Sequence, residues 1–159
     1  MLKNLTKYIL GVALLAMTIS HAMAAEKTLS LIKPDATAAH HIGEIIAIFE
    51  SNGLTIADLK MGTMSENQAK EFYAEHKGKP FYDELVKYIS SGPIVAIVLE
   101  GDQAIQKNRK LMGATDPKQA EQNTIRAKFA KSKSQNAVHG SDSKEAAQRE
   151  IDFFFKEKV

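Results

Sequence analysis

The segment that most constrains the fold is residues 94–99 (IVAIVL), the most apolar stretch of the chain after residue 24. An uninterrupted apolar run of this length predicts a strand that is buried on both faces, at the centre of a sheet. The tripeptide Ser91-Gly92-Pro93 comes directly before it and ends the preceding helical pattern. The chain must therefore supply further strands beside this one and helices to cover it.

The remaining patterns supply those elements. Strands are predicted at 28–32, at 54–64 and around Val138, and helices at 42–49, 65–73, 81–89, 104–112 and 144–155. Ser65 and Gln68 form a predicted capping box, while residues 114–134 show no period and are predicted as a long loop. This alternation predicts an α/β (α+β) sandwich, a ferredoxin-like split βαβ fold with a four-stranded antiparallel sheet covered by helices.

Composition limits the classes of function. With 159 residues, 44% of them hydrophobic, the chain has room for one domain with a sizeable core. Two of its 21 basic residues, Lys3 and Lys7, lie in the first 24 residues, which contain no acid, so 19 basic and 19 acidic residues remain. A neutral domain gives no electrostatic support for nucleic-acid or membrane binding. The absence of cysteine excludes disulfides and thiolate metal sites.

The first 24 residues resemble an export signal. Lys3 and Lys7 precede an uncharged apolar run, residues 8–19, and the segment ends in Ala22-Met23-Ala24. This order predicts a signal peptide at 1–24, cleaved after Ala24, and a secreted or periplasmic domain at 25–159. The run is too short for a membrane span, and a mitochondrial transit peptide is disfavoured because the segment has no arginine. The alternative is a cytoplasmic protein whose translation starts at Met23.

The stretch Asn136-Ala-Val-His-Gly-Ser-Asp-Ser143 places a histidine between a short apolar strand and the start of a helix. An imidazole can act as base, acid or nucleophile, and helix N-terminal amides beside it favour an anionic partner. Gly140 is expected to let the backbone turn tightly beside His139. The alternative is a surface histidine in a capping turn.

Three cations accompany this histidine. Lys33 follows the first predicted strand, Arg109 lies on a helix that leads into the long loop, and Arg126 lies in that loop. Each alone is more typical of a surface charge. Together with His139 they suit phosphoryl transfer, which needs positive charge around the transferred group and an in-line nucleophile.

With these residues in place, the sequence resembles the nucleoside diphosphate kinase family from about residue 26 to residue 156. The signature N-x-x-H-G-S-D of the family's phosphorylated histidine is present as residues 136–142. I-K-P-D is present at 32–35 and R-x-x-x-G-x-T-x-P at 109–117. Segments resembling F-Y-x-x-H, Pro-Phe and S-G-P occur at 72–76, 80–81 and 91–93.

This resemblance implies a ping-pong kinase that moves the γ-phosphoryl of a nucleoside triphosphate (ATP) to a nucleoside diphosphate through a phosphohistidine at His139. It implies catalytic roles for Lys33, Ser141 and Glu150, the last two orienting the imidazole. Mg²⁺ would bridge the nucleotide phosphates with few protein ligands, and the protein would be a tetramer or hexamer. The implied nucleotide-binding residues are Lys33, Tyr73, Phe81, Arg109, Thr115, Arg126 and Asn136, with Phe81 stacking on the base.

Other interpretations stay open at this level. Tyr73 and Phe81 also fit plain core positions, and Glu150 also fits an exposed helix acid paired with Lys144 or Arg149. A secreted binding or effector protein that keeps the fold is the competing function, although every motif residue quoted above is present.

Overall fold

The computed structural model describes residues 25–158, so the segment predicted as a signal peptide lies outside the described residues. One sheet is formed by the strands β1 (Glu26–Ile32), β2 (Thr55–Gly62), β3 (Ile94–Gly101) and β4 (Val138–Gly140). Their order is β2-β3-β1-β4, and every neighbouring pair is antiparallel. β3 therefore lies in the interior of the sheet, as its apolar sequence predicts.

Helices connect and cover the strands. They are α1 (Pro34–Ala38), α2 (Ile42–Ser51), α3 (Glu66–Phe72), α4 (Tyr82–Ile89), α5 (Ala104–Met112), α6 (Ile125–Phe129) and α7 (Lys144–Asp152). Short 3-10 turns occur at Ala74–His76 and Pro117–Gln119, and a π-helical segment follows α7 at Phe153–Lys158. No helix within residues 25–158 combines the length and apolar character that crossing a bilayer requires.

β3 is buried on both faces of the sheet, and its successive side chains alternate between two apolar clusters. Val95, Ile97 and Leu99 pack in the cluster that includes α2 and α5. Ile94 and Ala96 pack on the opposite face, in the cluster that includes α3 and α4. The two layers of helices explain why the strand reads as continuously apolar rather than alternating.

Several helix and strand boundaries follow from the side chains at those positions. Ser65 caps α3 as predicted, because its hydroxyl accepts the Gln68 N–H at 3.3 Å and the Gln68 side chain accepts the Ser65 N–H at 2.9 Å. Pro34 ends β1, as predicted, but it also occupies the first turn of α1, a helix that the sequence patterns do not predict. The predicted helix over 144–155 is α-helical only to Asp152.

The prediction of a long structureless loop at 114–134 is wrong. The segment contains the turn Pro117–Gln119 and helix α6, which Thr124 caps by accepting the Ala127 N–H at 3.4 Å. Five residues make little more than one helical turn, too few for an apolar period to be visible in the sequence. This helix carries Arg126 towards β4.

β2 is an edge strand, since only β3 pairs with it within the described chain. A bulge interrupts the pairing between Ile56 and Asp58. Leu59 and Met61 are 43% and 56% exposed, although both are large apolar side chains. This edge therefore presents both apolar surface and a strand without a second neighbour.

Candidate active site

β4 lies at the opposite edge of the sheet from β2 and carries His139, which pairs with Leu31 of β1. The imidazole is partly buried, and its Nε2 lies 3.0 Å from Oε2 of Glu150. Glu150 is buried on α7, which rules out the alternative of an exposed helix acid. A carboxylate accepts a hydrogen bond from Nε2–H, so the proton of the neutral ring is on Nε2 and the free lone pair is on Nδ1.

Ser141 touches the glutamate rather than the imidazole. Its hydroxyl donates to Oε2 of Glu150 at 2.7 Å and accepts the Leu29 N–H at 3.3 Å. The side chain is almost completely buried. Ser141 therefore fixes the carboxylate, and the carboxylate in turn orients His139.

Gly140 does not serve the expected tight turn. It is the last residue of β4, and its φ is not positive. A Cβ at this position would lie 2.5 Å from Nδ2 of Asn108 and 2.7 Å from Sδ of Met112, both on α5. The glycine is thus required by the close approach of a helix to the strand that carries His139.

Aromatic rings surround the imidazole. The ring of Phe72 lies 5.4 Å from that of His139, and the ring of Tyr73 lies 5.9 Å away, edge-on. Tyr73 is buried, and its hydroxyl has no hydrogen-bond partner within the described part of the chain. Burial raises the pKa of Tyr73, and the nearby Glu150 raises it further, so the phenol stays protonated.

Lys33 and Asn136 meet beside β4. Nζ of Lys33 donates to Oδ1 of Asn136 at 2.6 Å, and Nδ2 of Asn136 donates to the carbonyl of Thr115 at 3.2 Å. Burial, and then the charge of Arg126, lower the pKa of Lys33 to about 8. The ammonium group is therefore charged at neutral pH but close to losing its proton.

Arg126 connects three segments through their backbone. It donates to the carbonyls of Gly113 at 2.9 Å, Val138 at 3.0 Å and Asn136 at 3.4 Å. Burial, followed by the charge of Arg109, lowers the pKa of Arg126 to about 10, which leaves it charged at neutral pH. The surface interpretation of this residue is wrong, because it is buried.

A cleft of about 440 Å³ opens beside these groups. Four predicted nucleotide-binding residues line it, namely Lys33, Phe81, Thr115 and Asn136. The remaining lining residues are Glu84, Leu85, Tyr88, Lys133, Ser134 and Gln135. Phe81 is 49% exposed, which excludes its interpretation as a core aromatic and leaves its ring face accessible.

The cleft and His139 are joined by a row of rings. The ring of His76 lies 5.7 Å from that of Phe81 and stacks at 5.9 Å on Tyr73, which contacts His139. Arg109 is exposed, and its charge acts on buried Arg126. The structure therefore brings four of the predicted binding residues together at the cleft and places Tyr73 beside His139, whereas Arg109 and Arg126 do not line the cleft.

Sequence reasoning assigned no role to three residues near this site. His76 belongs to a quoted motif, and its position between Tyr73 and Phe81 is visible only in the fold. Asp35 follows the Lys-Pro pair, and Tyr88 lies on α4; their side chains are hydrogen-bonded to each other. A contact across 53 residues leaves no local signal in the sequence.

Comparison with known proteins decides the family. The family model described as "Nucleoside diphosphate kinase" matches residues 26–159. The chain belongs to the nucleoside diphosphate kinase family. Its predicted family and enzyme class, a nucleoside-diphosphate kinase, are thereby confirmed.

Individual relatives agree with this family. Nucleoside diphosphate kinase 1 of Protochlamydia amoebophila is 63% identical over 134 residues, which cover 84% of this chain and 95% of that protein. The nucleoside diphosphate kinase of Nitratiruptor sp. is 59% identical over 133 residues, covering 84% and 97% of the two chains.

Solved structures confirm the fold. A crystal form of the Aquifex aeolicus nucleoside diphosphate kinase superposes with a TM-score of 0.82 at 46% identity, covering 84% of this chain and 96% of that one. The Halobacterium salinarum enzyme in complex with CDP superposes with a TM-score of 0.81 at 41% identity, covering 84% and 89%. The predicted ferredoxin-like fold is thus confirmed.

Proposed function

We propose that the protein transfers the γ-phosphoryl of a nucleoside triphosphate to a nucleoside diphosphate, in two steps, through Nδ1 of His139. The observation that carries this proposal is the hydrogen bond between Nε2 and Glu150, because it leaves Nδ1 as the nitrogen with a free lone pair. Within the described residues no hydrogen bond to Nδ1 is present.

In the first step Nδ1 attacks the γ-phosphorus in line, the N–P bond forms and the bond to the β,γ-bridging oxygen breaks. The nucleoside diphosphate leaves, and the positive charge that develops on the imidazole is balanced by Glu150. In the second step a terminal β-phosphate oxygen of another diphosphate attacks the same phosphorus and the N–P bond breaks. Both steps need a fixed imidazole, which the Ser141–Glu150 pair provides.

Lys33, Asn136, Thr115 and Arg109 are proposed to bind the phosphates and ribose, with Phe81 stacking on the base. Support comes from the cleft, which brings four of these five residues together, and from the exposed face of Phe81. An aromatic face accepts every base, which suits a broad range of nucleosides. Tyr73 and Arg126 are buried, and they are proposed to support the residues that line the site.

Mg²⁺ is proposed to enter bound to the nucleotide. Lys33, Arg109 and Arg126 carry only hydrogen-bond donors and cannot ligate a cation. Within residues 25–158 no three His, Asp or Glu side chains converge in a way that could hold a metal ion. Phosphate oxygens and water would therefore supply the ligands, and the ion would neutralise charge on the leaving diphosphate.

The two-step reaction is tested by measuring phosphorylation of the enzyme and transfer to the diphosphate separately. Protein incubated with a triphosphate and freed of nucleotide should transfer its phosphoryl group to an added diphosphate, without any triphosphate present. Steady-state rates measured against both substrates should give parallel double-reciprocal lines. Transfer only when both nucleotides are present together would contradict a phosphoenzyme.

We further propose a homo-oligomer, a tetramer or hexamer, in which a second copy of the chain covers the β2 edge. The support is the exposure of Leu59 and Met61 on a strand with one free edge. Light scattering should give an oligomer for the wild type and a smaller species for Leu59→Lys with Met61→Lys. Gln148→Lys on α7 is the matched control, and a monomeric wild type would overturn the proposal.

Residues 1–24 are proposed to be a signal peptide that exports domain 25–159. The support is the order of Lys3 and Lys7, the apolar run at 8–19 and the Ala22-Met23-Ala24 site. The segment fused to a reporter should carry it out of the cytoplasm, and the fusion with three leucine or valine residues of the run changed to lysine should not. Retention of the unaltered fusion in the cytoplasm would favour a start at Met23.

A further inference from the structure

The turn before His139 is held in an unfavourable conformation. Ala137 has φ of 65°, in the left-handed region, and its side chain is fully buried. Such a conformation is unfavourable for a residue with a Cβ, and it persists only where the surroundings enforce it. The same residue separates Asn136, on the cleft, from the β4 strand that carries His139.

Asp35 enforces this turn. Its Oδ2 accepts the Ala137 N–H at 3.0 Å, and the Lys33 N–H donates to the Ala137 carbonyl at 2.8 Å. The carboxylate is buried at the start of α1, so both bonds are formed away from solvent. A buried carboxylate needs several donors, and the second one comes from α4.

That second donor is Tyr88. Its hydroxyl donates to Oδ1 of Asp35, and its ring lies 5.8 Å from Nζ of Lys33. Burial, and then the bond to Asp35, raise the pKa of Tyr88, so its hydroxyl remains a donor at physiological pH. One tyrosine thus supports both the lysine of the cleft and the aspartate that holds the turn.

We propose that Tyr88 and Asp35 are positioning residues for phosphoryl transfer. Tyr88 fixes Asp35, Asp35 fixes the left-handed turn at Ala137, and the turn sets Asn136 and Lys33 relative to His139. In-line transfer is sensitive to this alignment, because a displacement of about 1 Å in the reacting groups can cost about 100-fold in rate. The inference rests on the proposed transfer through His139.

The test uses Tyr88→Phe, which keeps the ring and removes only the hydroxyl. The matched control is Tyr82→Phe on the same helix, whose hydroxyl donates to the carbonyl of Lys70 at 3.2 Å on the surface. Quenched-flow measurement of enzyme phosphorylation against ATP concentration gives a maximum rate, a half-saturating concentration and an amplitude.

For Tyr88→Phe we expect the maximum rate to fall by roughly tenfold or more, on the scale of a small misalignment. The half-saturating concentration should stay within about threefold of the wild type, because the phosphate-binding side chains are still present. A purely structural role would lower the amplitude, the fraction of active protein, and leave the rate constant unchanged. Tyr82→Phe should match the wild type in all three quantities.

A second variant and a second readout keep the test decisive. Asp35→Asn should slow phosphorylation in the same way, and in both variants the amide of Ala137 should shift in NMR spectra and exchange faster with solvent. Wild-type rates in folded Tyr88→Phe and Asp35→Asn would overturn the positioning role. An unphosphorylated wild type would instead contradict the proposed function itself.

Discussion

Nε2 of His139 and Oε2 of Glu150 lie 3.0 Å apart, and Ser141 donates to the same carboxylate oxygen at 2.7 Å. One carboxylate oxygen thus accepts a hydrogen bond from each partner, which fixes Glu150 beside the imidazole. Interactions of this kind decide which ring nitrogen keeps its lone pair.

Replacing Glu150 by Gln should slow phosphorylation of His139 by about 10- to 100-fold, the range found when a carboxylate that orients a metal-bound histidine is lost. The amide cannot balance the charge that develops on the ring. Rapid-quench phosphorylation rates provide the measurement, and Glu145→Gln on the exposed start of α7 is the control. An unchanged rate in Glu150→Gln would exclude this role for the carboxylate.

Ser141→Ala should both destabilise the protein and slow the reaction. It leaves the buried Glu150 oxygen and the Leu29 N–H with one partner fewer, at a cost of about 1–3 kcal/mol. Ser143→Ala removes the cap of α7 and should cost about 1 kcal/mol while leaving the rate unchanged. Denaturant unfolding and phosphorylation rates distinguish the two variants. A wild-type phosphorylation rate in Ser141→Ala would show that Ser141 does not affect the reaction.

The value of kcat/KM should fall above pH about 8 as Lys33 loses its proton. Because the pKa of Lys33 is lowered to about 8, its ammonium group is charged below that pH and neutral above it. Only the charged form attracts phosphate. Lys33→Met should have a much lower kcat/KM without this alkaline decline. A wild-type profile that stays flat to pH 9.5 would contradict the assignment.

Gly140→Ala should destabilise the protein by about 1–3 kcal/mol, since the added methyl group would overlap Asn108 and Met112 of α5. Asn108 is fully buried and its amide has no hydrogen-bond partner within the described residues, so Asn108→Ala should relieve its part of the overlap and leave that with Met112. Thermal unfolding of the single and double variants measures the coupling. Additive effects would show that the close approach does not require glycine.

Much of this architecture could be predicted from the sequence because its signals are local. The apolar run of β3, the capping box of Ser65 and the Pro34 break each act within a few residues. His139 and Lys33 were found through short motifs. The family resemblance then supplied Glu150, which helical pattern alone does not distinguish from an exposed acid.

What the sequence could not predict depends on contacts across the fold. Arg126 was taken for a loop cation, yet it donates to three carbonyls that come together only when α6 packs beside β4. The Tyr88–Asp35 contact joins helices 53 residues apart. Gly140 was assigned to a turn because its neighbour on α5 is invisible in the sequence.

Labelling with γ-phosphate-labelled ATP tests the central claim most directly. The wild type should take up close to one acid-labile, base-stable phosphoryl group per chain, mapped by mass spectrometry to His139 and released on adding a nucleoside diphosphate. His139→Ala should take up none while keeping its fold. Label on the wild type at another residue, or equal label on His139→Ala, would contradict the account.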